Sequence, residues 1–209
     1  MRFIAVAGSI GAGKSSLITF LLGHFGLVPF YEKNDENPFL EDFYRDMKTF
    51  AFPAQVYFLA RKFQAHQEIR RLKRPAVMDR TIYEDAEIFA LHLHRRGFMS
   101  DREFETYSTL YRTISLSLPP PDLIVYLRAS VRTQKKRIRL RGRPMEQAID
   151  TAYLQRVNRL YRSWVEHWDR CPMMTIDTDR LDFVADLAHQ ADVLSEIKGY
   201  LSATRRRSA

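Results

Sequence analysis

Two hydrophobic patterns alternate along the chain. Short unbroken apolar runs occur at Phe3–Ala7, Leu27–Tyr31, Pro75–Asp79, Leu123–Leu127 and Met173–Ile176, the form of strands buried on both faces. Between them apolar residues recur every three or four positions. Leu17, Ile18, Leu21, Leu22 and Phe25 predict a helix from Lys14 to Phe25, which Gly26 stops. Further helices are predicted to follow Pro53 to about Leu72, and at about Glu84–Arg96, Asp101–Leu116, Val131–Leu140, Thr151–Trp168 and Leu181–Leu201. Pro38 marks a helix start within the polar and aromatic stretch Asn34–Lys48. Strands alternating with helices predict an α/β fold, a five-stranded parallel sheet with helices on both faces. One domain is expected over residues 1–201, with a basic, disordered tail at 202–209 that ends in Arg205-Arg206-Arg207.

Composition narrows the class only a little. The chain has 209 residues, 45% of them hydrophobic and 12% aromatic, enough to fill a core and too many for disorder. No apolar run approaches the roughly 20 residues that span a bilayer. Met1–Gly8 lacks a basic leader and a small-residue cleavage site, so it reads as a strand rather than a signal segment. The single cysteine, Cys171, reads as an apolar filler and suits a reducing cytoplasm. The net charge of +8 admits nucleic acid, an anionic membrane or anionic small substrates as partners.

Chemistry enters directly after the first strand. Gly8-Ser9-Ile10-Gly11-Ala12-Gly13-Lys14-Ser15 fits G-x-x-x-x-G-K-[ST], with Ser16 following. Glycines let successive N–H groups turn toward phosphate oxygens, and the helix N-terminus adds positive charge. Lys14 is placed to reach the β- and γ-phosphates of ATP, and the Ser15 hydroxyl to ligate Mg²⁺. The architecture is therefore that of a P-loop NTPase-type three-layer fold. The Asn-Lys-x-Asp run of guanine-specific GTPases is missing from the sequence, and the third strand is short and ends in Asp79-Arg80, which favours a kinase.

In open parallel sheets ligands gather beyond the carboxyl ends of the strands. Those ends supply Glu32, Asp79-Arg80-Thr81 and Asp177. Phosphoryl transfer needs a group to orient and deprotonate the acceptor hydroxyl and cations for the equatorial oxygens. Glu32 suits the first task, Arg80 the second, and Asp79 a place near Mg²⁺. On the long helix Gln55, Phe58, Leu59 and Lys62 share one face, offering an amide, a stacking wall and a charge that could pair with Asp85.

These residues resemble the deoxynucleoside kinase family, P-loop enzymes that phosphorylate the 5′-hydroxyl of deoxynucleosides. The resemblance spans nearly the whole chain. It is carried by Glu32, Asn37-Pro38-Phe39-Leu40 with Phe43-Tyr44, Gln55-Val56-Tyr57-Phe58-Leu59, Asp79-Arg80-Thr81-Ile82-Tyr83-Glu84-Asp85 and Arg137-Ile138-Arg139-Leu140-Arg141-Gly142-Arg143-Pro144-Met145-Glu146. It implies that Glu32 is the general base and that Arg80 steadies both Glu32 and the transferred phosphoryl. Asp79 would help hold Mg²⁺, directly or through water, beside Ser15. Tyr44 and Glu146 would bond the sugar 3′-hydroxyl. Gln55 and Asp85 would read the base, with Phe58 and Lys62 beside them. Arg137, Arg141 and Arg143 would form a short lid over the triphosphate, as their fork geometry suits phosphate oxygens. The resemblance also implies a homodimer. Three positions depart from the family's pattern: Lys33 replaces a proline, Thr81 a serine, and Lys62 an arginine of several members.

The reading is therefore an ATP-dependent deoxynucleoside kinase, with purine deoxynucleosides favoured and deoxycytidine compatible. A nucleoside-monophosphate or other small-molecule kinase is the alternative. Asp35, Glu36, Glu41 and Asp42 near Glu32 suit an uncharged acceptor better. A nucleic-acid-binding P-loop switch draws support from the net charge, but the internal basic residues concentrate in the lid segment, where ATP accounts for them.

Overall fold

The computed structural model describes residues 3–32, 36–147, 149–179 and 186–207. Five parallel strands form one sheet in the order β2-β3-β1-β4-β5. They are β1 (Phe3–Ala7), β2 (Val28–Phe30), β3 (Ala76–Asp79), β4 (Leu123–Arg128) and β5 (Met173–Asp177). Helix α1 (Lys14–Phe25) follows β1; α2 (Leu40–Arg45) and α3 (Met47–Arg71) lie between β2 and β3. After β3 come α4 (Ile82–Glu84), a π-helical turn (Asp85–Ala90), α5 (Leu91–Arg95) and α6 (Asp101–Leu116). Helices α7 (Val131–Arg141), α8 (Pro144–Gln147) and α9 (Thr151–Glu166) precede β5, and α10 (Leu187–Arg207) follows it.

Alternation along β1 divides the core. Phe3, Ala5 and Ala7 face one layer with residues of α3, α6 and α9, including Leu59, Tyr107 and Tyr161. Ile4 and Val6 face the other with Leu17, Ile18 and Leu21 of α1 and Val193 and Ile197 of α10. Both faces are thus covered, which is why the strands are apolar runs rather than alternating ones. β1 lies between β3 and β4; from β1 the chain runs outward to β2 on one side, and from β3 it crosses to β4 on the other. This switch point opens the crevice where the glycine loop lies.

Three local features differ from the sequence expectation. The long helix begins at Met47, not after Pro53, because the Asp46 side chain accepts from the amides of Lys48 (3.1 Å) and Thr49 (3.2 Å) and caps it. Pro53 lies inside α3, where it removes one backbone donor and its ring crowds the carbonyl one turn back. The helix expected over Glu84–Arg96 is interrupted by the π-helical turn, and Asp85, Phe89, His92 and Leu93 line the same cavity. The last helix continues through Arg205–Arg207, where the basic stretch reads as a disordered tail. The expected start of that helix at Leu181, the turn at Lys33 and residues 208–209 lie outside the described residues.

Candidate active site

A cavity of about 990 Å³ opens beyond the carboxyl ends of β1, β2 and β3. Ile10, Gly11, Gly13, Lys14, Ser15 and Ser16 line one end. Two loop glycines are required by their surroundings. A Cβ on Gly8 (φ 147°) would sit 2.9 Å from the Leu127 carbonyl oxygen, and one on Gly11 (φ 75°) 2.7 Å from that of Gln134. The loop is therefore seated against β4 and α7. Lys14 Nζ donates to the carbonyls of Gly8 (3.0 Å) and Ser9 (3.3 Å). Burial, then the Arg80 charge, lowers its pKa to about 8.

Glu32 and Arg80 line the same cavity. Arg80 Nη1 donates to Glu32 Oε2 at 2.6 Å, and Lys62 Nζ lies 3.3 Å from Glu32 Oε1. Burial alone would raise the Glu32 carboxyl, but Arg80, Lys62 and Lys14 outweigh it and hold it well below the usual carboxylate range. Glu32 is thus ionised throughout the physiological range. Arg80 takes a left-handed backbone (φ 60°), rare for a side-chain-bearing residue and concentrated at functional sites. Its guanidinium carbon lies 4.6 Å from the Phe89 ring centroid, and its buried Nε has no hydrogen-bond partner.

Lys62 corrects one expectation. It pairs with Glu32 and donates to the Asp79 carbonyl rather than forming an ion pair with Asp85. Two cations on Glu32 satisfy both of its oxygens, whereas Asp85 Oδ2 is buried without a hydrogen-bond partner. Burial raises the Asp85 carboxyl; Lys62 and Arg80 pull it down while Glu32 and Glu84 push it up, and the net shift is upward. For an acid this means the native state holds its proton more tightly than the unfolded chain. Stability from this group is present at low pH and declines as pH rises through the interval between the two pKa values. Asp85→Asn is expected to raise the melting temperature by about 3 °C at pH 8, with the gain fading toward pH 4 in parallel thermal melts. Tyr107, whose buried hydroxyl is unpartnered, feels the Asp85 charge.

Gln55 and Phe58 line the same cavity, with Gln55 Oε1 buried and unpartnered. Tyr44 and Glu146 also line the cavity, and burial followed by the Glu146 charge raises the Tyr44 phenol. The three arginines expected to form a lid, Arg137, Arg141 and Arg143, differ in their partners. Arg141 and Arg143 (3.3 Å) both donate to the Glu146 carboxylate. Arg137 donates to the Ala12 carbonyl (3.0 Å) and to the Thr178 hydroxyl (2.9 Å) and carbonyl (2.9 Å), fastening the phosphate loop to the end of β5. All three line the cavity.

Asp79 Oδ1 is buried and unpartnered, and Asp79 and Ser15 share the cavity wall. Among the described residues no group of three or more His, Cys, Asp or Glu could hold a metal. This donor set fits Mg²⁺, which is bound mainly through substrate phosphates and one or two protein oxygens.

Sequence reasoning missed Glu84. It is fully buried and accepts from the Gly8 amide (3.2 Å), the Thr81 amide (3.0 Å) and the Tyr161 hydroxyl (2.8 Å). A signal was present: Thr81-x-x-Glu84 is a capping-box pattern. His92 and Tyr153 were also missed; their rings meet edge to face at 5.1 Å on the cavity wall. No short motif marks them.

A strand–loop–helix phosphate cradle facing a carboxylate–arginine pair defines a P-loop phosphotransferase. Residues 4–202 match the family model described as deoxynucleoside kinase, so the chain belongs to the deoxynucleoside kinase family, and its activity is deoxynucleoside phosphorylation. It is 40% identical to a deoxyguanosine kinase of Lactobacillus acidophilus, over 94% of this chain and 90% of that one. It is 37% identical to a deoxyadenosine kinase of the same organism, over 94% and 95%. Among solved structures, a deoxyadenosine kinase from M. mycoides with bound dATP superposes with a TM-score of 0.83 at 27% identity, covering 94% of this chain and 99% of that one.

Proposed function

We propose that this enzyme transfers the γ-phosphoryl of ATP to the 5′-hydroxyl of a purine deoxynucleoside, in nucleotide salvage. The observation that carries the proposal is the Glu32–Arg80 pair facing Lys14 and the glycine loop across one cavity. In this reading the loop amides and Lys14 hold the β- and γ-phosphates. Ser15 and Asp79 would hold Mg²⁺, which would supply charge neutralisation for the phosphates. Glu32 accepts the hydrogen bond of the 5′-hydroxyl and aims its oxygen at the γ-phosphorus. A carboxylate held so far below neutrality is a weak base, so it takes the proton late, as suits a loose transfer state. The free Arg80 Nε–H is available to an equatorial oxygen.

At the far end Gln55, Phe58 and Asp85 take the base. Two unpartnered buried oxygens, Gln55 Oε1 and Asp85 Oδ2, call for two donors on the ligand; the exocyclic amines of adenine, guanine and cytosine supply two N–H groups, whereas thymine offers only its N3–H. The deoxyguanosine and deoxyadenosine kinases among its relatives support the purine preference. Tyr44 and Glu146 take the sugar 3′-hydroxyl, and Arg141 and Arg143 exchange Glu146 for the triphosphate when it binds. Arg137 acts on the phosphates through the Ala12 carbonyl it holds. The enzyme is read as cytoplasmic, which the lone Cys171 suits, with one domain over residues 1–201. Exposed Leu110 and Leu116 on α6 suit a homodimer face. No helix among the described residues is long and apolar enough to cross a membrane.

A panel of the four deoxynucleosides with ATP and Mg²⁺ tests the base assignment. The expected order of kcat/KM places deoxyadenosine and deoxyguanosine first, deoxycytidine next and thymidine at least 100-fold lower, the penalty for leaving a buried site's polar groups unpaired. Comparable use of thymidine would refute the roles given to Gln55 and Asp85.

A further inference from the structure

We infer that Glu84 is a positioning residue that sets the distance between the phosphate loop and the Glu32–Arg80 pair. The inference deepens the kinase reading and rests on it.

The geometry begins where two neighbouring strands separate. In β1 and β3, Val6 stands opposite Asp79, and the Arg80 amide adds one more rung by donating to the Val6 carbonyl at 3.0 Å. The left-handed turn at Arg80 then carries the chain out of the sheet. Thr81, fully buried, is left with an N–H that the ladder cannot use. On the partner strand Gly8 leaves the sheet at the corresponding place, and its N–H is orphaned in the same way. One carboxylate takes both. Glu84 Oε2 accepts from Thr81 at 3.0 Å, and Oε1 accepts from Gly8 at 3.2 Å.

The two ends of this clamp are the two halves of the reaction. Gly8 opens the triphosphate cradle, and its carbonyl accepts from Lys14 Nζ. Thr81 follows Arg80, which holds Glu32. Tyr161 Oη donates to Glu84 Oε1 at 2.8 Å, and its ring stacks on Tyr126 at 5.4 Å, so the carboxylate is itself held by α9 and β4. Each half can bind its own ligand without the clamp. In-line transfer needs both at fixed separation, where an error of about 1 Å costs roughly 100-fold.

Glu84→Gln tests this at nearly constant volume. The glutamine offers one oxygen, and its NH₂ must face either Gly8 or Thr81. Both are donors that cannot reverse, whereas Tyr161 can. One end of the clamp is therefore released. The expected result, per triphosphate-binding site, is a kcat lower by about 10- to 100-fold with KM for ATP and for deoxyadenosine within threefold of wild type. Wild-type kcat per site, as a purely structural carboxylate would give, or a rise confined to KM, would overturn the inference. Should Glu84→Gln not fold, Tyr161→Phe carries the test: kcat falls about threefold to tenfold at constant KM, and full activity overturns the clamp. Amide hydrogen exchange separates this idea from the kinase reading. The Gly8 or Thr81 amide should exchange at least about tenfold faster in Glu84→Gln while Ile4 and Val125 stay protected. Unchanged exchange at both amides refutes the clamp whatever substrate the wild type uses.

Discussion

Glu32→Gln is expected to lower kcat by roughly 10²- to 10⁴-fold while ATP affinity stays within about twofold of wild type. The split follows from position. Glu32 is paired with Arg80 and Lys62 and makes no hydrogen bond to the glycine loop's amides, so a triphosphate keeps its principal contacts. The glutamine can still accept a hydrogen bond from the 5′-hydroxyl but cannot take its proton. A second effect accompanies the first. The carboxylate neutralises two buried cations, Arg80 and Lys62, with side-chain exposures of 11% and 7%. Removing one partner of a buried ion pair costs about 3–5 kcal/mol, because the remaining charge is left uncompensated. Lys62 can relieve part of this. Burial pulls its pKa down, and Glu32 is the first of the charges that raise it above the ordinary value. The melting temperature of Glu32→Gln should therefore fall by roughly 5–10 °C, less at high pH, where Lys62 can lose its proton. Isothermal titration with ATP, thermal melts and steady-state rates check the three parts. Near-wild-type turnover would remove Glu32 from the mechanism.

Arg80→Lys is expected to reduce kcat by about 10²- to 10³-fold, the scale of losing one preorganised donor to the developing charge. Charge is conserved, so the loss would isolate geometry. A guanidinium can bond Glu32 through Nη1, lie over Phe89 and still direct Nε–H into the cavity. An ammonium is a single point and cannot do all three. Deoxyadenosine KM should change less than kcat, because Gln55, Phe58 and Asp85 remain. Equal losses of kcat in Arg80→Lys and Arg80→Ala would point to the fork; recovery of full activity with lysine would show that only charge matters.

Features governed by short-range pattern were legible in the sequence. Lys14–Phe25 was bounded correctly because a glycine loop precedes it and Gly26 follows it, both in left-handed geometry that marks helix ends. The strand ends at Glu32 and Arg80 could be placed because apolar runs stop abruptly at them. Features set by competition among distant groups were not. Lys62 faces Asp85 and Glu32 alike, and only the fold determines that Glu32, already carrying Arg80, draws it in. The resemblance implies a lid role for Arg141 and Arg143, but that the buried Glu146 pairs with both is visible only in the fold. The π-helical turn leaves no trace in helical periodicity, since Asp85, Phe89 and His92 also fit an ordinary helix face. Glu84 was hidden for a different reason. Its capping-box pattern explains one hydrogen bond, while the bond to Gly8 spans 76 positions and exists only because β1 and β3 are neighbours.

The central claim is that the triphosphate cradle and the Glu32–Arg80 pair act on one acceptor oxygen, the 5′-hydroxyl of a deoxynucleoside. Single-turnover transfer from γ-labelled ATP, with the products resolved by position and acceptor, tests it most directly. The account expects the label in deoxyadenosine 5′-monophosphate and deoxyguanosine 5′-monophosphate, with 2′,5′-dideoxyadenosine binding but receiving none. Label passed chiefly to water, or to a nucleoside monophosphate in preference to the nucleoside, would contradict it.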